Sequence, residues 1–317
     1  MNESISSGRS YTNTDINVAD CFFVRSKQNS GSGGVFYVSG GSYNMNVSYS
    51  MFFGCTSSDI GGAIYFVSSR SDLRMICASK CFASSSKHFG WIFATVVNYV
   101  ELFSITSCSD SFSSYRPIEI ESGDMTVSKL NCSLNKAIEV SGVVIDTPKT
   151  FTCSFCTFSN NKASKSICIC LFRNSGIFKF VNIIGNNSPT GSGVIYVSNS
   201  GSYQMSFCIF YLNQNALFYI FSGSLQISNS MISHVGFTTI TNNNTLRSGE
   251  TYFIEFYGSY YCATDTPNPT IENTIKMTIQ RIFNDICDHL NRFVSTKQRK
   301  DKYYIYPIII SFILFCF

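Results

Sequence analysis

Two acidic side chains separated by one residue, Glu119 and Glu121, are the strongest catalytic candidates in this chain. Alternate side chains of an extended strand point to the same face, so the two carboxylates would lie side by side. Such a pair can perform acid–base catalysis or bind a metal ion. Arg116 begins the same segment, Arg116-Pro117-Ile118-Glu119-Ile120-Glu121, and Asp110 and Asp124 lie nearby in sequence.

The neighbouring repeats place no acid beside these glutamates. The corresponding stretches are Val35–Val38 and Val143–Ile145, which are apolar. An active site on a repetitive fold needs its groups to converge from adjacent repeats. We therefore interpret Glu119 and Glu121 as part of a solvated outer face, and we expect no catalysis.

Two cysteine motifs could bind a metal ion. Cys153 and Cys156 form a CxxC motif, and Cys168 and Cys170 form a CxC motif. The motifs are close enough for a tetrahedral four-cysteine zinc site, which remains an alternative. A redox CxxC motif requires a helix start after a strand, whereas these residues favour strands. We expect Cys168 and Cys170 to share a strand face and to pack in the interior.

Other recognised chemistry is missing from the sequence. The three histidines are scattered, with no nucleophile motif around them: His88, His234 and His289. No phosphate-binding or dinucleotide-binding fingerprint occurs. The net charge is only +4, and no standard nucleic-acid motif is present. We predict no cofactor, no metal and no nucleic-acid partner.

The elements that position these groups follow from a glycine repeat. An apolar run follows Gly33-Gly34 and again Gly61-Gly62, and single glycines precede similar runs at Gly90 and Gly193. The marks at 34, 62 and 90 recur every 28 residues, and a weaker series continues through 117, 142, 166, 193 and 215. Fixed periods of this size are typical of solenoids, whose units bury their apolar surface by stacking.

A second pattern precedes some of the glycines. It joins a cysteine, a phenylalanine and an asparagine, as in Cys156, Phe158 and Asn161 and in Cys208, Phe210 and Asn213. Glycine suits a tight corner, and asparagine suits a ladder of hydrogen bonds between coils. Short alternating segments between turn residues predict strands. We therefore predict an all-β, parallel β-helix of about nine coils over residues 16–262.

Cysteine is abundant: the chain has 14 among 317 residues. Half of them recur near one position of the repeat, which predicts a buried and mostly reduced column of thiols, with some disulfides as the alternative. This column would contain Cys21, Cys55, Cys81, Cys108, Cys132, Cys156 and Cys208.

The ends of the chain differ from the repeat. Residues 1–15 are polar and contain no secretory signal. Apolar residues from Ile275 to Phe293 are spaced as on one helix stripe, so residues 263–302 would form a helical cap or a coiled-coil stem. Residues 303–317 are apolar and follow a basic collar, Lys297–Lys302. We expect a membrane segment there, with a buried strand as the alternative.

The motifs support a family resemblance. Gly61-Gly62-Ala63-Ile64 is a GGAI motif, and Phe158–Asn161 and Phe210–Asn213 are FxxN motifs. The pair resembles the repeat of polymorphic outer membrane proteins and of similar surface proteins of eukaryotic microbes. It covers roughly residues 16–262 and is strongest in 20–70 and 150–215. The resemblance implies a right-handed β-helix, a C-terminal span and a role in adhesion, although this chain shows no signal sequence or cytoplasmic tail.

These observations predict a membrane-anchored surface protein that contacts a protein or glycan of a partner surface. One alternative is a carbohydrate-active β-helix enzyme, and another is a cytosol-facing, tail-anchored interaction protein. The basic collar favours the latter because positive residues prefer the cytoplasmic side. Five N-glycosylation sequons are consistent with secretion: Asn2, Asn46, Asn131, Asn186 and Asn243.

Overall fold

The fold is a parallel β-solenoid, in which strands of successive turns pair with one another. The computed structural model describes residues 9–10, 14–108, 115–164, 167–188, 193–233, 239–241 and 246–247. About eight turns are present, against the nine predicted, and every pairing between strands is parallel. No described residue lies in a helix, and none of the described segments could span a membrane as a helix. The predicted helical segment 263–302 and the apolar segment 303–317 lie outside the described residues.

The strands of the N-terminal half, in chain order, are β1 (Arg9–Ser10), β2 (Ile16–Ala19), β3 (Phe22–Val24), β4 (Lys27–Gln28), β5 (Phe36–Ser39), β6 (Asn44–Phe53), β7 (Thr56–Ser57), β8 (Ile64–Ser79), β9 (Phe82–Ala83), β10 (Gly90–Thr106), β11 (Ile118–Glu121), β12 (Asp124–Ser133), β13 (Lys136–Ala137) and β14 (Val140–Asp146).

The strands of the C-terminal half are β15 (Thr150–Ser154), β16 (Thr157–Ser159), β17 (Lys162–Ala163), β18 (Ile167–Phe172), β19 (Ser175–Lys179), β20 (Asn182–Ile184), β21 (Ile195–Ser198), β22 (Gly201–Ser206), β23 (Ile209–Tyr211), β24 (Phe218–Ile220), β25 (Gly223–Ser228), β26 (Met231–Ser233), β27 (Thr239–Thr241) and β28 (Leu246–Arg247).

Three walls run along the solenoid. The first wall stacks β1, β5, β8, β10, β11, β14, β18, β21, β24 and β27. The second wall contains β2, β6, β8, β10, β12, β15, β19, β22, β25 and β28. The third wall contains β3, parts of β6, β8, β10 and β12, and then β16, β20, β23 and β26. The long strands β8 and β10 pass through all three walls.

The hydrophobic core fills the space between the walls. Phe36, Phe66 and Ile92 point inward from the first wall, and Val100 and Phe158 point inward from the second and third walls, all at most 1% exposed. Alternate residues of each strand therefore bury their side chains, and the residues between them form the outer surfaces of the walls. Stacking of the coils supplies most of this burial, as a solenoid requires.

Two corners of each coil are made by a single residue with positive φ. The corner between the second and third walls has φ between 46° and 57°, at Asp20, Tyr49, Met75, Leu102, Lys129, Phe155, Phe180, Phe207 and Asn229. The corner after the third wall has φ between 51° and 63°, at Arg25, Gly54, Lys80, Ser107, Leu134, Asn160, Gly185 and Leu212. A non-glycine residue loses roughly 1–2 kcal/mol in this conformation, so stacking of the neighbouring strands must hold the corners in place.

Candidate functional site

The outer face of the first wall brings together residues from eight successive turns. The strand registers align one outward position per turn, in the order Tyr37, Tyr65, Trp91, Glu119, Val144, Cys170, Tyr196 and Tyr219. Three aromatic residues form the start of this line, and two more form its end. Glu119, Val144 and Cys170 occupy the middle, and Glu119 is the one charged residue among these three.

The aromatic column is defined here as Tyr37, Tyr65 and Trp91. The rings of Tyr37 and Tyr65 stack with centroids 4.8 Å apart, and the Tyr65 and Trp91 rings meet edge to face at 5.2 Å. All three side chains are half-buried. Ring contacts of this kind each contribute about 0.5–1.5 kcal/mol, so they hold the rings in a fixed row along the wall. Further along the same line, the Tyr196 and Tyr219 rings lie 5.4 Å apart.

A charged cluster follows the aromatic column, and it is defined by Lys87, Arg116, Glu119, Glu121 and Asp146. Glu119 accepts a 2.6 Å hydrogen bond from Arg116 Nη1, and Lys87 Nζ lies 3.6 Å from the same carboxylate oxygen. The expectation that Glu119 is solvated is wrong, because these two cations cover it and leave the residue only 4% exposed.

Lys87 also links the cluster to the aromatic column. Its ammonium lies 3.5 Å from the centroid of the Trp91 ring, which is a close cation–π contact. Burial lowers the pKa of Lys87, and the nearby Glu119 carboxylate opposes this shift. Trp91 Nε1 donates a 3.1 Å hydrogen bond to Glu121 Oε2. The indole is therefore fixed both through its face and through its N–H.

Asp146 is the residue that sequence reasoning missed. It is the register partner of Glu121 on the next turn, so both side chains leave the same outer face. The statement that neighbouring coils offer no partner acid is therefore wrong. Burial raises the pKa of both carboxyl groups, while Trp91 counteracts the shift at Glu121 and Arg173 counteracts it at Asp146. Asp146 Oδ1 is buried without a hydrogen-bond partner.

The other acids named beside the glutamates do not join the cluster. Asp124 begins β12 on the second wall, where it accepts a hydrogen bond from Thr150 Oγ1 at 2.8 Å. Asp110 lies outside the described residues. Arg116 additionally approaches Glu139, with 3.6 Å between Nη2 and Oε2.

The four cysteines of the CxxC and CxC motifs do not converge on one site. Cys153 points into the core from the second wall, and Cys156 follows the next corner. Cys168 belongs to the same core, whereas Cys170 packs with Val140 and Val144 in a small cluster on the outside of the first wall. The expectation that Cys168 and Cys170 share a face is therefore wrong, because a register irregularity interrupts the pairing of β14 with β18. In the described ranges, no group of His, Cys, Asp or Glu side chains could hold a metal ion.

The predicted cysteine column is divided among three positions of the coil. Cys55, Cys81 and Cys108 follow the corner after the third wall. Cys21, Cys156 and Cys208 follow the corner between the second and third walls, and Cys132 points inward from the third wall. All except Cys21 are fully buried thiols, so the expectation of burial agrees with the structure while that of one shared position does not. Cys77 is disulfide-bonded.

An asparagine ladder continues the position of Cys55, Cys81 and Cys108. The side-chain Nδ2 of each asparagine donates to Oδ1 of the asparagine one turn further along, at 3.1 Å for all three pairs formed by Asn135, Asn161, Asn186 and Asn213. The last asparagine of each FxxN motif therefore stacks the coils. The phenylalanines of these motifs, Phe158 and Phe210, lie in the core with at most 1% exposure.

The repeat glycines lie where backbones approach one another. Gly33, Gly61 and Gly193 have φ of 71°, 68° and 69°. A Cβ on Gly34 would collide with the carbonyl of Gly62, and a Cβ on Gly62 would collide with that of His88. Gly90 is less restricted, because its added Cβ would meet the Ile64 carbonyl at 3.3 Å.

Of the three histidines, His88 lies among the described residues. His88 is buried, and its Nδ1 accepts a 3.2 Å hydrogen bond from the Ala83 backbone. His234 and His289 lie outside the described residues. On the second wall, an open groove of about 290 Å³ lies among Asp15, Asn44, Asn46, Arg70, Ser71, Asp72, Val97 and Tyr99.

Comparison with known proteins found no family model, no curated protein and no solved structure that matches this chain.

Proposed function

We propose that this protein is a membrane-anchored surface β-helix that binds a protein or glycan of a partner surface without catalysing a reaction. The observation that supports the proposal is the aromatic column, Tyr37–Tyr65–Trp91, fixed in register along the first wall. Half-exposed rings in a rigid row offer apolar contact area at a low cost in side-chain entropy. Such a row fits an extended partner better than a compact small molecule.

The finer identity of the repeat is also part of the proposal. We infer a right-handed β-helix of the polymorphic outer membrane protein type, as found in surface proteins of eukaryotic microbes. The structural roles of the two motifs support this assignment: the glycine pair permits close stacking, and Phe158 and Asn161 supply the core and the ladder. The apolar segment 303–317 would anchor the chain in the membrane. The β-helix would lie outside, as in the surface proteins that the repeat resembles.

A binding experiment tests the role of the first wall. Labelled full-length protein is added to candidate partner cells, and bound label is measured against concentration for wild type and for the Trp91→Ala and Tyr65→Ala variants. We expect each variant to bind at least about 10-fold more weakly, since hot-spot aromatic residues contribute about 2 kcal/mol or more. Tyr99→Ala, on the second wall, is the matched control and should bind as wild type does. Equal binding by Trp91→Ala and wild type would exclude the aromatic column.

A topology experiment tests the location. An epitope tag after Asn2 is probed with antibody on intact and then on permeabilised cells. Staining of intact cells is the expected result. Staining only after permeabilisation would favour the cytosol-facing, tail-anchored alternative, which the basic collar Lys297–Lys302 supports.

A carbohydrate-active enzyme is the second candidate, and the pairing of Glu121 with Asp146 favours it. Two half-buried carboxyl groups with raised pKa, beside an indole, are a plausible acid–base pair on a polysaccharide-binding wall. Purified protein would be incubated with a panel of polysaccharides and the reducing ends measured. Cleavage that is lost in both Glu121→Gln and Asp146→Asn would replace the binding proposal, whereas no cleavage by wild type would exclude this candidate.

A further inference from the structure

Three of the five sequons fall on described residues, and their asparagine side chains differ in solvent exposure. Asn46 is exposed on the second wall, whereas Asn131 and Asn186 are 0% exposed. All three lie in or beside parallel strands, so the strand itself does not distinguish them. The burial of the side chain distinguishes them, because an exposed amide is accessible to a glycosyltransferase and a buried one is not.

Asn186 has no hydrogen left for a glycosidic bond. Its Nδ2 donates to the Phe158 carbonyl at 2.8 Å and to Asn213 Oδ1 at 3.1 Å, both inside the asparagine ladder. Ser188, the third residue of the sequon, is 1% exposed. A sugar on this nitrogen would break the ladder and push apart the turns that it joins.

Asn131 is closed off by burial. Both of its amide atoms are buried, and Cys132 and Ser133, which complete the sequon, are 0% exposed. Ser133 Oγ lies 3.3 Å from Thr106 Oγ1 of the previous turn. No glycan could be accommodated here without removing these residues from the fold.

The surroundings of Asn46 are open. Its Nδ2 donates one 2.7 Å hydrogen bond, to the equally exposed Asn17 Oδ1 on the preceding turn. The side chain lines the groove of about 290 Å³ on the second wall, whose lining consists mostly of polar and charged side chains. The first sugar of a glycan would find hydrogen-bonding groups there, namely those of Asp15, Asn44, Arg70 and Asp72.

We propose that Asn46 is the N-glycan acceptor among the three described sequons and that Asn131 and Asn186 are unmodified in the folded protein. The transferase would join Asn46 Nδ2 to C1 of an oligosaccharide carried on a lipid pyrophosphate donor. The bond between C1 and the phosphate oxygen breaks, and the amide nitrogen releases one proton. This inference rests on the proposed surface location, because the donor is met only in the secretory pathway.

The position of the glycan also bears on binding. Asn46 is on β6 of the second wall, whereas Tyr37 of the same turn is on the first wall. A glycan at Asn46 therefore covers the groove and leaves the aromatic column uncovered. The modification would direct partners to the first wall.

The test uses the full chain, expressed in eukaryotic cells behind a cleavable secretory leader, so that entry into the pathway does not depend on the native ends. Glycans are removed enzymatically in heavy-oxygen water, which labels each formerly modified asparagine, and the labelled peptides are identified by mass spectrometry. Site-by-site mapping keeps Asn2 and Asn243 from confusing the result. We expect label at Asn46, and none at Asn131 or Asn186 in the secreted, protease-resistant protein.

Matched variants separate the sequon from the fold. Asn46→Gln and Ser48→Ala should both remove the Asn46 glycan, while Ser48→Thr should keep it. An unlabelled Asn46 in secreted wild type, or label at Asn131 or Asn186 in folded protein, would overturn the inference. If the leader-directed chain is labelled at Asn46 while the chain in its own cells is not, then the acceptor site stands and the proposed surface location fails.

Discussion

Asn161 donates two hydrogen bonds to the same atom, Asn186 Oδ1, one from its backbone N–H and one from Nδ2, each 3.1 Å long. The second hydrogen of Nδ2 bonds the Cys132 carbonyl of the preceding turn at 2.8 Å. One buried side chain thus connects three turns of the solenoid. Buried amides with all their bonds made stabilise a fold strongly, because removing one leaves its partners unsatisfied.

The first prediction concerns this ladder. Asn161→Ala should lower the free energy of unfolding by about 2–4 kcal/mol, since it removes the side-chain donor to the Cys132 carbonyl, the acceptor of the Asn135 N–H and Nδ2, and one of the two hydrogen bonds that Asn186 Oδ1 accepts. Asn17→Ala removes only the exposed bond to Asn46 and should cost less than about 0.5 kcal/mol. Urea unfolding followed by circular dichroism measures both. Equal losses in the two variants would show that the ladder adds nothing to stability.

The second prediction concerns Gly62, where the backbones of successive turns approach closely. Gly62→Ala should destabilise the protein by about 3 kcal/mol or more, because the methyl group would collide with the His88 and Phe82 carbonyls of the next turn. Gly90 is the next glycine of the 28-residue repeat, but a Cβ there would meet its nearest neighbour, the Ile64 carbonyl, at 3.3 Å. Gly90→Ala should therefore lower the free energy of unfolding much less than Gly62→Ala. Thermal melting compares the two, and a Gly90 variant as unstable as the Gly62 variant would contradict the steric explanation.

The third prediction is a pH dependence at Glu121 and Asp146. Burial raises the pKa of both carboxyls above their ordinary values of 4.5 and 3.8. A carboxyl whose pKa is higher in the folded state binds more protons when folded. Its contribution to stability is complete below the unfolded pKa, and this contribution is lost as pH rises through the folded pKa.

Replacing either carboxyl group by a neutral amide should therefore raise the free energy of unfolding at neutral pH. Glu121→Gln keeps an oxygen acceptor for Trp91 Nε1 and should be more stable than wild type at about pH 7, with the difference vanishing at about pH 3.5. Asp146→Asn should behave in the same direction. Denaturant unfolding at a series of pH values gives the curves. A Gln variant that is less stable than wild type at neutral pH would reverse the sign and refute the argument.

The fourth prediction concerns the buried thiols. Burial raises the pKa of Cys168 and of Cys208 to about 12, and both side chains are 0% exposed. Alkylation requires the thiolate and access to it. Iodoacetamide at about pH 8 should leave both cysteines unmodified in the native protein and label them in urea, as measured by peptide mass spectrometry. Rapid labelling of Cys168 in the native state would mean that the coils open locally.

Much of the fold could be predicted from composition and period. The 28-residue spacing of the first glycines matches the register of the first wall, where Phe36 pairs with Ile64. Parallel stacking then follows from the need of each turn to bury its apolar side. The corners could not be predicted in the same way, because Phe155 and Lys129 occupy positions of positive φ that glycine or asparagine would fill at lower cost.

The candidate site was only half visible in the sequence, for a geometric reason. Turns differ in length, so Glu121 lies 28 residues after its partner Phe93 but only 25 before its partner Asp146. The apolar run Val143–Ile145 aligns with the glutamate segment, and Asp146 is the residue directly after that run. The burial of Glu119 was equally hidden, since Lys87 reaches it from the preceding turn.

The direction of the backbone hydrogen bonds between turns has a mechanical consequence. Bonds such as Gly62 N–H to the His88 carbonyl, at 3.0 Å, connect one turn to the next along the length of the solenoid. A force that pulls the two ends of the β-solenoid apart therefore loads only the bonds of the outermost turn at any moment. The solenoid should therefore unfold turn by turn at low force. Each unfolded turn would lengthen the chain, so the force on the remaining turns would stay low.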